Sequence, residues 1–251
     1  MSENLASKKN IKMTIEYDGT NYHGWQSQQN SVSVCNVLTA AVKNLTDEDI
    51  KFSAASRTDK GVHAYGQVVN FFTNSKIPPD KYSHALNSML PADIVVKESR
   101  EASLHFHAQY NSKGKRYKYI IYNDRTPSAL MRDRAAYVHY GQKITKMNQA
   151  AEYFLGRHDF SAFCSAGSMA KSFERTIKSL TLEKKGEIIE IDISGDGFLY
   201  NMVRIIAGTL VDVGRGAIPV EAIPEIIEGK DRTKAGKTAP AQGLYLMEVL
   251  Y

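Results

Sequence analysis

The order of secondary-structure patterns constrains this chain of 251 residues more than any other feature. Apolar and polar residues alternate at 11–17, which is typical of a half-buried strand. A 3.6-residue apolar period then runs from Val34 to Leu45 and predicts an amphipathic helix, which Ser31 or Ser33 can cap. The first half has the order β-α-β-β-α-β, completed by predicted strands at 50–54, 66–73 and 94–97 and a helix from Pro78-Pro79 to Leu90.

The second half repeats this order of elements without a repeat of residues. Such an order predicts a ferredoxin-like, or RRM-like, unit, in which a mostly antiparallel sheet carries both helices on one face. We therefore expect an α+β protein of two such units, over residues 1–108 and 109–251, with an added helix and loop at 219–238. The other predicted elements are strands at 115–123, 175–183, 187–194 and 244–250 and helices at 145–155 and 198–213.

The composition favours a globular cytoplasmic protein. Apolar residues make up 43% of the chain, and 32 Lys and Arg against 27 Asp and Glu leave a net charge of +5. That excess suits a polyanionic partner but is common in ordinary proteins. Cys35 and Cys164 lack metal-ligand spacing, and no apolar run approaches the ~20 residues that span a bilayer. We expect no metal and no membrane association.

Much of the positive charge is concentrated in residues 109–134. Cations interleaved with aromatic rings suit phosphates and bases, so the segment predicts a nucleic-acid surface. A solvated strand whose tyrosines pack on a core explains it equally well. Against Asp124 and Asp133 stand seven basic residues and four tyrosines: Lys113, Lys115, Arg116, Lys118, Arg125, Arg132, Arg134, Tyr110, Tyr117, Tyr119 and Tyr122.

A single carboxylate, Asp59, stands in the connection between the second and third predicted strands, in the sequence SAASRTDKGVHAYGQVVNF. If the chain is extended there, Arg57 and Asp59 project to the same side, and the guanidinium would keep the carboxylate ionised. Gly61 would allow a tight turn. Local chemistry alone favours the other interpretation, an ordinary turn with a surface ion pair.

Other cofactor and metal chemistries are poorly supported. His105 and His107 alternate in a strand-like run without a third ligand. Ala235-Gly236-Lys237-Thr238 resembles the end of a phosphate-binding loop, but Asp231 stands where that loop needs glycine. Gly195-Asp196-Gly197 lacks the third glycine of a dinucleotide site. We therefore expect no nucleotide cofactor.

The sequence R-T-D-K-G-V-H-A at residues 57–64 resembles the catalytic signature of the TruA family of tRNA pseudouridine synthases. Cys35, where glutamine is more usual, and Lys60, where alanine is commoner, depart from the family pattern. Further resemblances follow in the family's order over essentially the whole chain: Glu16-Tyr17-Asp18-Gly19, His23-Gly24-Trp25-Gln26, Gly66-Gln67-Val68-Val69, Phe106-His107-Ala108, Lys115-Arg116-Tyr117-Lys118-Tyr119, Met202-Val203-Arg204 and Gln242-Gly243-Leu244-Tyr245-Leu246.

The resemblance implies an isomerase that converts uridine to pseudouridine at positions 38–40 of the tRNA anticodon arm. It implies no cofactor, a homodimer, and an active site in the cleft between the two units. By motif, Asp59 is the nucleophile, Arg57 its ion-pair partner, Tyr117 the ring against the target base and Arg204 a further active-site cation. Contacts to tRNA are also expected from Lys60, His63, Lys115 and Arg116.

The chemistry fits one carboxylate, because moving the ribose link from N1 to C5 of uracil consumes no redox equivalents. The sequence leaves open whether Asp59 attacks C6 or C1′, and whether Tyr117 stacks or acts as an acid or base. A non-catalytic RNA-binding protein of two RRM-like units is the main alternative, although residues 66–73 lack the aromatic pattern of such modules. A small-molecule enzyme would have no use for the charged, tyrosine-rich segment.

Overall fold

A computed structural model of the chain describes residues 8–28 and 31–251, and the statements below refer to these residues. The protein is α+β, as predicted, and its strands pair mostly antiparallel. It divides into two compact units. The first comprises Met1–Lys113, as far as described, together with Leu246–Tyr251, and the second comprises Gly114–Tyr245.

The first unit has the predicted order β-α-β-β-α-β. Ser33 caps the first helix, because its Oγ accepts a hydrogen bond of 3.1 Å from the Asn36 amide. That helix ends at Asp47, whose φ of 58° is left-handed. The elements are β1 (Lys9–Tyr17), α1 (Val34–Thr46), β2 (Ser53–Ala54), β3 (His63–Thr73), α2 (Tyr82–Asn87) and β4 (Ile94–Ala102).

The sheet of the first unit is built around β1, which pairs antiparallel with β3 on one side and β4 on the other. Side chains alternate along β1, so that Ile11, Met13 and Ile15 are fully buried. Phe71 of β3 continues this core and meets Tyr82 of α2 edge-on, with ring centroids 5.6 Å apart. The buried face of the sheet thus packs against α2.

The second unit contains the elements predicted for it, except most of the final strand, and two short strands that were not predicted. Its elements are β5 (Gly114–Asn123), β6 (Ala136–Val138), α3 (Ile144–Glu152), β7 (Gly156–Asp159), β8 (Glu174–Lys185), β9 (Ile188–Gly195), α4 (Met202–Gly214) and α5 (Ala222–Gly229). Its antiparallel sheet has the order β5-β9-β8-β7, and β6 pairs parallel with β5. Of the final strand, β10 (Leu244–Leu250), only Leu244 and Tyr245 belong to this unit.

The division into units differs from the boundary predicted between residues 108 and 109. The first unit continues to Lys113 and also takes the last six residues of the chain. Two hydrogen bonds hold these parts together: the Lys113 amide donates to the Leu250 carbonyl at 2.8 Å, and the Tyr251 hydroxyl donates to the Ala108 carbonyl at 2.7 Å. The order of elements does not reveal which unit a final strand joins.

A buried amide pair ties β1 and β3 of the first unit to the segment that follows β4. Asn70 Nδ2 donates to Asn10 Oδ1 at 2.9 Å, and Asn70 Oδ1 accepts from the Ala108 amide at 2.8 Å. Asn10 Nδ2 in turn donates to the Ser103 and Phe106 carbonyls. Both asparagines are essentially inaccessible to solvent, so these bonds are made away from water.

We expect Asn70→Ala to lower the free energy of unfolding by about 2–4 kcal/mol, because the Ala108 backbone amide and the Asn10 side-chain Oδ1 lose their buried partner. Asn74→Ala is the matched control, because the Asn74 side chain is exposed and makes no hydrogen bond within the described residues. Urea denaturation measures both. Equal stability of the two variants would contradict the structural role given to Asn70.

Candidate active site

Asp59 lies in the loop between β2 and β3, residues 55–62, which we call the Asp59 loop. Its carboxylate is half-buried, between a buried Thr58 and an exposed Lys60. The loop turns directly after Asp59: the Val62 amide donates to the Asp59 carbonyl at 3.1 Å, and Gly61 has a φ of 78°. The glycine is required there because a left-handed φ is unfavourable for other residues.

Hydrogen bonds from the end of β1 and from the β1–α1 connection hold this loop. The Tyr17 hydroxyl lies 2.7 Å from Thr58 Oγ1, in a buried contact, and the Trp25 amide donates to the Thr58 carbonyl at 3.0 Å. Beyond Asp59, the Gly61 amide donates to the Tyr22 carbonyl at 3.3 Å. Asp59 is therefore carried by a backbone that is fixed on both sides of it.

The start of the loop is fixed from β3. The fully buried Gln67 side chain donates from Nε2 to the Ser56 carbonyl at 2.7 Å and accepts from the Ser56 amide at 3.3 Å. This pair of bonds imitates one rung of a β-ladder, where a side chain replaces a neighbouring strand. No role was predicted for Gln67, because a single sequence does not show which backbone groups a buried side-chain amide will contact.

Two glycines of the β1–α1 connection lie against the Asp59 loop. A Cβ at Gly19 would stand 2.0 Å from the Val62 carbonyl oxygen, and a Cβ at Gly24 would stand 2.3 Å from the Thr58 carbonyl oxygen. Gly24 also has a φ of 82°. No other residue fits at either position without moving the loop, since real Cβ contacts are never so short.

His63 supports the same connection from the beginning of β3. Its ring is buried, and Nδ1 lies 3.1 Å from both the Gly19 amide nitrogen and Asp18 Oδ1. In this position the ring contacts protein on the side where the loop is anchored. The predicted contact between His63 and tRNA thus has almost no exposed surface on which to form.

Arg57 does not form the predicted ion pair with Asp59. Its side chain is exposed and makes no hydrogen bond or ion pair with any residue that the structure describes. The prediction assumed an extended chain, in which residues two apart share a face. Instead, β2 ends at Ala54 and the chain turns directly after Asp59, so the extended geometry that the prediction assumed is not present.

In the second unit, Tyr117 lies on β5 and is only 6% exposed. Its ring meets Phe198 edge-on, with centroids 5.2 Å apart and planes at 88°. Phe198 belongs to the connection between β9 and α4. Sequence analysis assigned Phe198 to the predicted helix and gave it no role in the site. The helix begins later, at Met202, because Asn201 has a left-handed φ of 61°.

Arg204, in the first turn of α4, is held by two neutral acceptors. Nε donates to the Ala239 carbonyl at 2.8 Å, and Nη1 donates to Asn201 Oδ1 at 2.7 Å. Asn201 is itself fixed, since its Nδ2 donates to Ser165 Oγ at 3.0 Å. These bonds orient the guanidinium.

The Ala235-Gly236-Lys237-Thr238 segment packs on α4. The Gly236 amide donates to Thr209 Oγ1 at 2.9 Å, and a Cβ at Gly208 would stand 1.8 Å from the Lys237 carbonyl oxygen. Arg232 Nη1 donates hydrogen bonds to the carbonyl oxygens of Ala235 and Gly236. The segment thus positions the Ala239 carbonyl that accepts a hydrogen bond from Arg204. This is a structural role, distinct from phosphate binding.

The two faces of β5 differ in how their charges are compensated. Arg116 forms a bidentate pair with Asp192, at 2.8 Å and 2.7 Å, and Lys118 pairs with Glu190 at 3.0 Å. Lys115 lies on the opposite face with Tyr117. Burial, with a contribution from Arg175, lowers the pKa of Lys115 to about 8.

Within residues 8–28 and 31–251, no group of three His, Cys, Asp or Glu side chains is placed to hold a metal ion. The same residues include no helix with the length and apolar character needed to cross a bilayer.

We expect Gly24→Ala to destabilise the protein by at least about 2 kcal/mol more than Gly216→Ala. Gly24 and Gly216 share a φ of 82°, but a Cβ at Gly216 would have no neighbour within 4 Å. The control therefore measures the backbone strain alone, and the difference measures the overlap with the Asp59 loop. Thermal and urea denaturation give both values. Equal losses would show that the loop moves aside without cost.

Comparison with known proteins supports a common family. A family model described as tRNA pseudouridine synthase matches residues 13–111 and 150–251. The tRNA pseudouridine synthase A of Acetivibrio thermocellus is 57% identical over 243 residues, covering 97% of this chain and all of the relative. That of Ruminiclostridium cellulolyticum is 53% identical over 244 residues, with the same coverage.

Solved structures add only a distant similarity. A Cbf5-Nop10-Gar1 complex matches with a TM-score of 0.40 and 12% identity, covering 94% of this chain and 57% of that one. The extent and identity of the sequence matches are decisive instead. This chain belongs to the tRNA pseudouridine synthase family.

Proposed function

We propose that this protein converts uridine to pseudouridine at positions 38–40 of the tRNA anticodon stem-loop, with Asp59 as the nucleophile. The observation that carries the proposal is the half-buried carboxylate on a loop that is fixed on both sides, within the signature R-T-D of this family. A fixed carboxylate suits covalent catalysis, because little orientational freedom is lost when the reacting atoms meet.

The reaction is an isomerisation. The N1–C1′ glycosidic bond of uridine breaks and a C5–C1′ bond forms, while C5 loses a proton and N1 gains one. In the proposed mechanism Asp59 forms a transient bond to the substrate and leaves again, so nothing is consumed. The uracil must first leave its stack to reach the carboxylate, which requires a surface for the base and cations for the phosphates.

The second unit supplies groups suited to these tasks. The Tyr117 ring, held edge-on by Phe198, lies against the target base in the proposed mechanism. Arg204 offers a cation for charge that develops during the reaction, and its bonds to the Ala239 carbonyl and Asn201 Oδ1 orient the guanidinium.

In the first unit, the exposed Arg57 and Lys60 flank Asp59 and suit RNA phosphates. Arg57 is thus proposed as a tRNA contact in place of an ion-pair partner of Asp59.

The alternative of a non-catalytic RNA-binding protein predicts tRNA binding without product. It gives no reason for a carboxylate to be positioned so tightly, since a carboxylate repels phosphate. We also propose a homodimer acting in the cytoplasm, as the family resemblance implies. Light scattering of the purified protein tests the dimer.

We expect the purified protein to form pseudouridine in tRNA without added metal or nucleotide, and Asp59→Asn to abolish turnover while tRNA binding stays within about twofold. Asp80→Asn is the control, because that carboxylate is exposed and pairs with the neighbouring Lys81 at 3.3 Å. Pseudouridine content and filter binding measure the two properties. Turnover by Asp59→Asn would refute the nucleophile assignment.

For Tyr117 we expect the ring to matter for binding. Tyr117→Phe should bind tRNA like the parent, whereas Tyr117→Leu should bind several-fold more weakly, because stacking on an aromatic face is worth about 1–3 kcal/mol. If the ring chiefly stacks, Tyr117→Phe also retains reduced turnover, and near-total loss assigns the hydroxyl an acid or base role. Tyr119→Phe is the control for the loss of a tyrosine hydroxyl elsewhere on β5. Tyr119 is buried, and its hydroxyl donates to the Pro240 carbonyl.

A further inference from the structure

Two cations of the second unit, Lys115 and Arg175, lie near each other without a carboxylate. Each is half-buried, and neither forms an ion pair with a residue in the described part of the chain. On the other face of β5, Arg116 and Lys118 both have acidic partners across the strand pair. The absence of a partner for Lys115 and Arg175 is therefore specific to one face of the sheet.

Such an arrangement is unfavourable in the protein alone. Burying an ammonium group without a counter-charge costs free energy, and a second cation nearby adds repulsion. Both effects act on Lys115 and lower its pKa to about 8, with burial the larger. An anion between the two side chains would remove the repulsion and restore the charged lysine.

Arg175 is held through one of its three guanidinium nitrogens. Its Nη1 donates to the Ser172 carbonyl at 3.0 Å and to the Glu174 carbonyl at 2.5 Å, which fixes the guanidinium at the start of β8. Nε and Nη2 have no hydrogen-bond partner within the described residues. A guanidinium with two free edge donors matches the geometry of a phosphate group.

The Gly195-Asp196-Gly197 sequence places Arg175 beside the aromatic pair. A Cβ at Gly197 would stand 3.4 Å from Arg175 Nε, and Gly197 directly precedes Phe198, the ring against Tyr117. The Asp196 carboxylate accepts from the Thr176 amide at 3.0 Å. Lys115 is two residues from Tyr117 on the same face of β5. The two cations and the Tyr117–Phe198 pair therefore belong to one cluster.

We propose that Lys115 and Arg175 together form a phosphate subsite, which binds a backbone phosphate of the tRNA next to the nucleotide whose base lies against Tyr117. This inference rests on the proposed function and adds Arg175 and a specific ligand group to it. The subsite fixes the sugar-phosphate chain while the base is out of its stack. It thereby positions the target nucleotide without reading its sequence.

The test uses the Asp59→Asn background, in which tRNA is bound but not converted. We expect Lys115→Gln and Arg175→Gln each to weaken tRNA binding about tenfold and to reduce the slope of log affinity against log salt by about 0.7–0.9. Lys185→Gln is the matched control: it removes the same charge from the same unit, but that exposed lysine pairs with Glu183 at 2.8 Å.

A neutral methylphosphonate on either side of the target uridine identifies the ligand group. At one of these positions it should weaken binding by the protein with Lys115 about tenfold and leave binding by Lys115→Gln almost unchanged, because the contact is already lost. If the loss of affinity from the methylphosphonate and the loss from Lys115→Gln are additive at both positions, a local phosphate contact is refuted. Competition by inorganic phosphate at millimolar concentration alone would assign the cations to a free anion instead.

Stability and pH separate this role from a structural one. Lys115→Gln should leave the melting temperature unchanged or raise it, because it removes an unpaired half-buried charge, whereas a structural lysine would lower it. Binding by the parent should weaken up to about tenfold from pH 7 to pH 9, since only protonated Lys115 binds phosphate and its pKa is about 8. Arg175 is the charge acting on Lys115, while Arg116 and Lys118 face away and are paired.

Lys115→Arg should bind tRNA without this pH dependence, because arginine stays charged. One outcome refutes the subsite while the proposed function stands: the parent protein makes pseudouridine, but Lys115→Gln and Arg175→Gln bind tRNA as tightly as Lys185→Gln does. If the parent makes no pseudouridine, the proposed function has failed by itself.

Discussion

The Asp59 loop and the β1–α1 connection approach more closely than any residue except glycine allows. The carbonyl oxygens of Val62 and Thr58 occupy the space where side chains of residues 19 and 24 would begin. This contact brings together three motifs that are separated in sequence, at residues 16–19, 23–26 and 57–64. The Tyr17–Thr58 contact and the bonds from Gln67 fix the loop before Asp59, and the bond from the Gly61 amide to the Tyr22 carbonyl fixes it after Asp59. A carboxylate on such a loop has little freedom, which is a property that covalent catalysis needs.

The second unit divides its cations by function. Arg116 and Lys118 are tied to acidic residues of β9 and stabilise the sheet surface. Lys115 and Arg175 form no ion pair within the described residues, and Arg204 is oriented by the Ala239 carbonyl and the Asn201 side chain. The distinction comes from strand geometry, because neighbouring residues of β5 point to opposite faces. It explains how one short basic segment combines ion pairs on one face of the sheet with the proposed RNA contacts on the other.

The order of elements could be predicted because buried faces impose periods of 2 and 3.6 residues on the sequence. The short strands β6 and β7 were missed because three or four residues carry too little pattern. In the basic, tyrosine-rich segment, the burial of Tyr119 agrees with tyrosines that pack on a core. Tyr110 is 78% exposed, and a nucleic-acid surface there stays a prediction. The pairing of Arg57 with Asp59 failed because the loop turns where an extended chain was assumed. Phe198 and Arg175 became visible only in three dimensions, since contacts between distant residues leave no period.

The central claim is that this protein makes pseudouridine in the anticodon stem-loop of tRNA. Mapping pseudouridine base by base in tRNA from cells with and without the gene tests it most directly. The account predicts that deletion removes the modification at positions 38–40 and leaves pseudouridine elsewhere in tRNA unchanged. An unchanged pattern at positions 38–40, or a loss confined to other positions, would contradict it.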